Sequence, residues 1–208
     1  MSPGGIAAVG GPATGLVFIL SGPSGVGKDT ITKFLRTEGF PLGYCVTATT
    51  RPPRPGEIEG LHYHFLGDKE FAALLAAGGL LEHAEVHGRN YGIPVENLRT
   101  ALRAGQDVMV TPDVQGAATL RGKLENAITI FLAPPSLEEL APRLAYRNSE
   151  TLDERELRLE TAAREMERQH EYDYVVVNER GRVDESVAKI KAIIIAERCR
   201  VHPHVVTL

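Results

Sequence analysis

Short apolar runs alternate with amphipathic stretches along most of the chain. Leu16-Val17-Phe18-Ile19-Leu20 is apolar at every position. That pattern predicts a strand over Val17–Leu20 buried on both faces, as in a parallel sheet, rather than one with a wet face. Further strands are expected over 107–110, 127–132 and 174–177. Helical periodicity covers 29–38, 95–104, 114–124, 137–146, 153–170 and 183–198. Ser136 reads as an N-cap, with Glu139 three residues on completing a capping box. Apolar strands alternating with helices imply a parallel α/β sheet.

The stretch from about Tyr44 to Pro94 breaks this rhythm. It holds short strand patterns at 45–50, 62–66 and 80–87, a helix at 69–77 stopped by Gly78-Gly79, and the loop Arg51-Pro52-Pro53-Arg54-Pro55-Gly56. Prolines forbid helix in that loop. The stretch reads as an inserted substrate module. The expected organisation is a flexible lead-in over 1–15 and a core over 16–43, 96–141 and 160–198. The insert spans 44–95, a lid 142–159 and a C-terminal tail 199–208.

Directly after the first strand comes Gly22-Pro23-Ser24-Gly25-Val26-Gly27-Lys28-Asp29-Thr30. Strand, glycine-rich loop and helix form the context of a phosphate-binding P-loop. Its backbone N–H groups and the helix dipole attract an anion, and Lys28 adds a mobile point charge for β- and γ-phosphates. Gly22 to Thr30 are therefore the candidate ATP-binding residues. The usual pattern has Ser or Thr directly after the lysine as a Mg²⁺ ligand; here Asp29 stands there. Arg51 and Arg54 place two guanidinium forks on one stiffened loop, suited to a monophosphate. Seen alone, such a pair reads equally as a solvated basic loop.

The net charge of −4 over 208 residues offers no general field for nucleic acid. Cys45 and Cys199 lack metal spacing and read as free thiols of a reducing, cytoplasmic setting. No apolar run reaches the length of a membrane span. The segment after Cys199, with two histidines around Pro203, is expected to be disordered or weakly docked.

Seven stretches, in order, resemble the guanylate kinase family from about Leu16 to Ile195: Ser21–Gly25, Thr49–Glu57, Tyr63–Phe65, Glu82–Gly88, Asn90–Gly92, Asp113–Gly116 and Ala133–Ser136. The resemblance implies a P-loop parallel β-sheet core flanked by helices, a small mixed α/β insert that binds a nucleoside monophosphate, and a helical lid. It implies transfer of a phosphoryl group from ATP to GMP with Mg²⁺, by a monomer or homodimer. Arg51, Arg54, Tyr63 and Tyr91 would hold the GMP phosphate. Glu82 would accept from guanine N1–H and the exocyclic amine, a donor pair adenine lacks on that edge. Thr47 would donate to guanine O6. Arg143, Arg147 and Arg158 fall at lid positions that spread charge on the transferring group. Asp113 would orient Arg54 or a Mg²⁺-bound water, and Asn178 matches a position near the adenine.

Three departures stand out. Asp29 replaces the hydroxyl residue, Thr111-Pro112 replaces an acidic-apolar pair before Asp113, and Ile93 replaces a Ser or Thr facing guanine O6. The first two suggest that charge around Mg²⁺ is kept by exchange, with Asp29 holding the ion or its waters. The Lys28-Asp29 pair and Ile93 also resemble ribose 1,5-bisphosphate phosphokinases, which makes such an enzyme the alternative. A catalytically weak guanylate-kinase-like binding module is another.

Overall fold

A computed structural model describes residues 15–86, 88–144 and 152–206. Among the described residues nine strands form two sheets. The core sheet contains β1 (Val17–Ser21), β2 (Gly43–Tyr44), β7 (Val108–Val110), β8 (Ile128–Ala133) and β9 (Tyr174–Val177), in the order β2-β7-β1-β8-β9. Every pairing in it is parallel. Position in the sheet explains composition. All residues of β1 and β8 are buried, whereas the edge strand β9 exposes Val175 and Val177 and buries Val176.

Successive residues of β1 serve opposite faces. Phe18 and Leu20 join Ile31 and Leu35 of α1 (Lys28–Thr37) and Ile190 and Ile194 of α7 (Val183–Arg198). Val17 and Ile19 join Leu98 of α3 (Val95–Arg103) and Leu120 of α4 (Val114–Lys123). The sheet is thus covered on both sides, as strands without a polar face require.

The second sheet, ordered β4-β3-β6-β5, is built from β3 (Thr47–Thr49), β4 (Tyr63–Phe65), β5 (Leu80–Val86) and β6 (Arg89–Pro94). β3 pairs β4 in parallel, and β6 runs antiparallel to both β3 and β5. α2 (Asp68–Ala76) packs Phe71 against Ala48 and Leu80 of this sheet. Leu81 and Ile93 extend into the α3–α4 face of the core and tie the sheets together. α5 (Leu137–Leu144) and α6 (Leu152–Glu167) follow β8, and a 3-10 turn over Arg168–Glu171 leads into β9.

Several local expectations change. The strand expected over 45–50 is interrupted: Tyr44 pairs in the core sheet, and the chain crosses at residues 45–46 into β3. β6 carries Gly92 and Pro94, which look like breakers in sequence. The proline stands at the strand's last residue, where its missing N–H is tolerated. Ser136 accepts the Glu139 N–H at 3.3 Å, but the Glu139 carboxylate lies 3.7 Å from Arg143, so half of the expected capping box forms. The segment after Cys199 is lightly docked, one of the two states expected of it: Asn126 donates to the Val205 carbonyl at 3.1 Å, His204 lies 3.5 Å from Glu197, and Val206 packs on the core. Among the described residues no helix is long and apolar enough to cross a membrane.

Ile130, fully buried at the centre of β8, tests this layering. Ile130→Ala is expected to cost about 2–5 kcal/mol of unfolding free energy. Urea denaturation reads the loss, and a cost well below that range would mean the strand is not sealed on both faces.

Candidate active site

The loop after β1 lies at the carboxyl ends of the core strands, where open α/β sheets hold their ligands. Its shape depends on two glycines. Gly22 has a φ of 146°, and a Cβ there would stand 2.2 Å from the Leu132 carbonyl oxygen of β8. Gly27 has a φ of 108°, and a Cβ would stand 2.7 Å from Nδ2 of Asn178. Neither position admits a side chain. Val26 N–H donates to Pro23 O at 3.3 Å and closes the turn. Lys28 opens α1, and its Nζ donates to the Gly22 carbonyl at 2.6 Å. Burial lowers its pKa, opposed by the carboxylates of Asp29, Glu165 and Asp113. Asp29 and Thr30 are exposed on the first turn.

Beside the loop opens a cleft of about 790 Å³ between α1, the end of β7 and the second sheet. Thr47, Arg51, Arg54, Tyr63, Glu82, Tyr91 and Asp113 all line it, and Asp29 joins them from the P-loop side. Residues spread over 85 positions in sequence, Asp29 to Asp113, thus share one cavity.

One end of the cleft is cationic and aromatic. Arg51 lies 5.2 Å from the Tyr63 ring centroid, and the Tyr63 and Tyr91 rings meet edge-on at 6.2 Å. Glu57 receives both nitrogens of the Arg51 fork at 2.8 and 2.9 Å and also the backbone N–H of Arg54 at 2.6 Å. The sequence motif contains Glu57 but gives no sign that this one carboxylate holds both the Arg51 guanidinium and the loop backbone at Arg54. The pairing raises the Arg51 pKa and lowers that of Glu57.

The other end is acidic. Glu82 on β5 is 9% exposed, and its carboxyl rests on the start of α4, where a Cβ on Gly116 would lie 3.2 Å from Glu82 Cδ. Asp113 is the N-cap of α4 and accepts the Gly116 N–H at 2.7 Å. Burial, then the Asp113 charge, pushes the Glu82 pKa up to about 7, against the pull of Lys123. Lys123 is itself anchored on the Leu81 carbonyl at 2.6 Å. The role of Gly116, to leave room for this carboxyl, has no sequence signature beyond the glycine itself. Ile93 is 3% exposed and packs with Leu81 and Val95 while also lining the cleft.

Arg158 and Arg143 reach the P-loop and Asn178 from α6 and α5. Arg158 on α6 donates to Ser24 Oγ at 3.2 Å. Arg143 on α5 donates to the Asn178 carbonyl at 3.3 Å. Arg147 lies outside the described residues. Asn178 is 6% exposed, and its side-chain amide donates to the Val26 carbonyl of the P-loop at 2.8 Å.

A family model described as guanylate kinase matches residues 15–197. The chain belongs to the guanylate kinase family. The guanylate kinase of Desulfitobacterium hafniense (strain Y51) is 44% identical over 187 residues, spanning 90% of this chain and 92% of that relative. Guanylate kinase 2, chloroplastic/mitochondrial, of Oryza sativa subsp. japonica is 41% identical over 198 residues, 95% of this chain and 70% of that relative. The crystal structure of guanylate kinase from Anaplasma phagocytophilum has a TM-score of 0.73 at 33% identity and covers 90% of this chain and 88% of its own. The family's reaction is phosphoryl transfer from ATP to GMP, generally with a divalent metal. The mixed α/β fold with its parallel sheet is the one expected for it.

The two ends of the cleft make a direct electrostatic test possible. Carboxyl-selective NMR on the unliganded protein is expected to show Glu82 titrating at about pH 7. Asp113→Asn should lower that midpoint and Lys123→Met should raise it, since one removes a like charge and the other an opposite one. A midpoint in the ordinary glutamate range in all three proteins would contradict the burial of this group.

Proposed function

We propose that this chain transfers the γ-phosphoryl group of ATP to GMP, giving ADP and GDP, with Mg²⁺. The observation that carries this reading is the two-ended cleft. A buried carboxylate, two arginines of one loop with Arg51 held by Glu57, and two tyrosines line one cleft that Asp29 joins from the P-loop side.

In this reading Glu82 accepts from guanine N1–H and the exocyclic amine, and Thr47 donates to O6. Arg51, Arg54, Tyr63 and Tyr91 hold the GMP phosphate. Gly22 to Gly27 offer backbone N–H groups to the ATP phosphates, and Lys28 exchanges its Gly22 carbonyl for a phosphate oxygen. Arg143, Arg147 and Arg158 surround the transferring group as the lid closes and water is excluded. An oxygen of the GMP phosphate attacks the γ-phosphorus, and the bond to the β–γ bridging oxygen breaks as ADP leaves. That oxygen is already ionised near neutral pH, because a phosphate monoester has a second pKa of about 6. No general base is therefore needed, and Asp113 is free to serve as the α4 cap.

Asp29, Thr111 and Asp113 line the same cleft with hard oxygen atoms. Among the described residues no three acidic, histidine or cysteine side chains converge as a dedicated metal cage. This fits Mg²⁺, which takes one or two carboxylates, waters and substrate phosphates. Asp29 would hold the ion or its waters. Bound there, Mg²⁺ neutralises charge on the β- and γ-phosphates. The two free thiols, of which Cys45 has its pKa pushed up to about 12 by burial, support a reducing, cytoplasmic setting.

An ADP-release assay with ATP and Mg²⁺ compares GMP, AMP, UMP, CMP and ribose 1,5-bisphosphate as acceptors. GMP is expected to be preferred over AMP by at least about a hundredfold in kcat/KM, because AMP leaves Glu82 unpaired. Below pH 7 the KM for GMP should rise by about tenfold per unit as Glu82 protonates. Turnover of only the sugar bisphosphate, or of no acceptor, would overturn the reading.

Asp29→Ala tests the metal assignment, since a serine there could itself ligate the ion. It is expected to weaken Mn²⁺ binding to the ATP complex by roughly tenfold, as loss of one charged ligand implies. Electron paramagnetic resonance titration reads this without turnover, and an unchanged affinity would remove Asp29 from the metal site.

A further inference from the structure

Asn178 stands where four parts of the molecule meet. Its N–H donates to Ala133 O at 2.8 Å and continues the β8–β9 ladder. Its Nδ2 donates to the Val26 carbonyl of the P-loop at 2.8 Å. Its Oδ1 accepts from Ser186 Oγ of α7 at 3.0 Å, and its own carbonyl accepts both terminal nitrogens of Arg143 on α5 at 3.3 Å. Asn178 is 6% exposed and Ser186 1%, so water does not substitute for these partners. The amide orientation follows from chemistry. A carbonyl accepts only, so the NH₂ group must face Val26 O and the oxygen must face the Ser186 hydroxyl.

We propose that Asn178 is a positioning residue for the triphosphate site: held by Ser186, it anchors the Val26 carbonyl behind the P-loop and so turns the next N–H towards the phosphates. In a trans peptide the C=O and the following N–H point in opposite directions. Drawing Val26 O back onto Asn178 therefore sends the Gly27 N–H to the other face of the loop. Asn178 Nδ2 occupies the space a Gly27 side chain would need, so loop and amide are in close contact. The Arg143 bond to the Asn178 carbonyl links the base of the lid to the same residue. Both side-chain groups of Asn178 are engaged by protein partners, so in this proposal it acts on whatever phosphate the loop holds. This inference rests on the phosphotransfer reading above for what fills the loop.

The experiment compares Asn178→Asp and Ser186→Ala with the unchanged chain. Asn178→Asp keeps size but sets an acceptor against the Val26 carbonyl. Ser186→Ala removes one hydroxyl and leaves Asn178 in place, a mild change if the aspartate folds poorly. Calorimetry measures the binding of ATP, GTP and inorganic tripolyphosphate, thermal melting monitors the fold, and steady-state kinetics give KM for ATP and GMP. Asn178→Asp is expected to weaken all three triphosphates by at least about tenfold, the effect of a buried acceptor left unpaired. Ser186→Ala should weaken them by about two- to fivefold, as loss of a single supporting hydrogen bond implies. The KM for GMP should stay within about twofold of the parent, since its contacts lie elsewhere.

Loss confined to ATP, with tripolyphosphate unaffected, would mean a direct adenine contact and overturn the proposal. So would unchanged triphosphate binding in both variants, or weakening of ATP and GMP together with a collapsed melting temperature in Ser186→Ala. If the unchanged chain binds tripolyphosphate but turns over no acceptor, the function reading fails while the positioning role is still decided by the binding data.

Discussion

The close contact between the Gly22 backbone and the Leu132 carbonyl is the constraint on which the site depends. A Cβ at Gly22 would stand 2.2 Å from that oxygen. The contact exists because β1 lies between β7 and β8 in a parallel sheet, with all five of its residues buried. The chain must then leave β1 at its carboxyl end and turn at once into α1. That turn brings the backbone N–H groups, the start of a helix and Lys28 to one place. The same parallel arrangement puts the ends of β7 and β9 alongside, which delivers Asp113 and Asn178 from distant parts of the sequence. Hydrophobic burial of one strand thus sets the geometry of a polar site.

The cations at the P-loop and on the arginine loop meet opposite charge before any substrate enters. The Lys28 ammonium lies within reach of the Asp29, Glu165 and Asp113 charges and rests on a loop carbonyl. Arg51 is held in a bidentate pair by Glu57, which also takes the Arg54 N–H. Such pairs fix direction more than they add stability, since partly exposed ion pairs are worth about 0–1 kcal/mol. A planar fork held on one edge has its remaining N–H groups aimed, which lessens the ordering a phosphate must supply. At the other end Glu82 is strained electrostatically instead of relieved. Burial and Asp113 favour its neutral form, so a partner with two adjacent N–H donors gains by taking the charged form.

Much of this was legible in the sequence, for physical reasons. β1 and β8 are unbroken apolar runs because both faces are covered, and the P-loop is legible because a tight phosphate turn tolerates few residue types. The ordered motifs brought seven expected residues into one cleft. What could not be read depends on approach through space. β6 is obscured by Gly92 and Pro94, whose tolerance comes from their place in the sheet. Glu57 looks like any loop glutamate until its three hydrogen bonds are seen. Asn178 is legible in sequence only through the family resemblance, and its burial against Val26 comes from approach through space. The tail carries no periodicity, yet Asn126, Glu197 and the core packing of Val206 give it a light seat.

Ile93 shows how a departure from a family pattern is absorbed. A Ser or Thr at this place would add a hydroxyl facing guanine O6, worth about 0.5–1.5 kcal/mol. Ile93 instead packs with Leu81, Val95 and Leu98 at the junction of the two sheets. Full burial of an isoleucine side chain contributes about 1.5–3 kcal/mol. The exchange favours a firmer seat for β5 and β6, the strands that carry Glu82 and Tyr91. A rigid seat holds the Glu82 carboxyl against α4. In the proposed function, discrimination of guanine would rest on the position of that buried group, and the apolar residue beside it would serve that position.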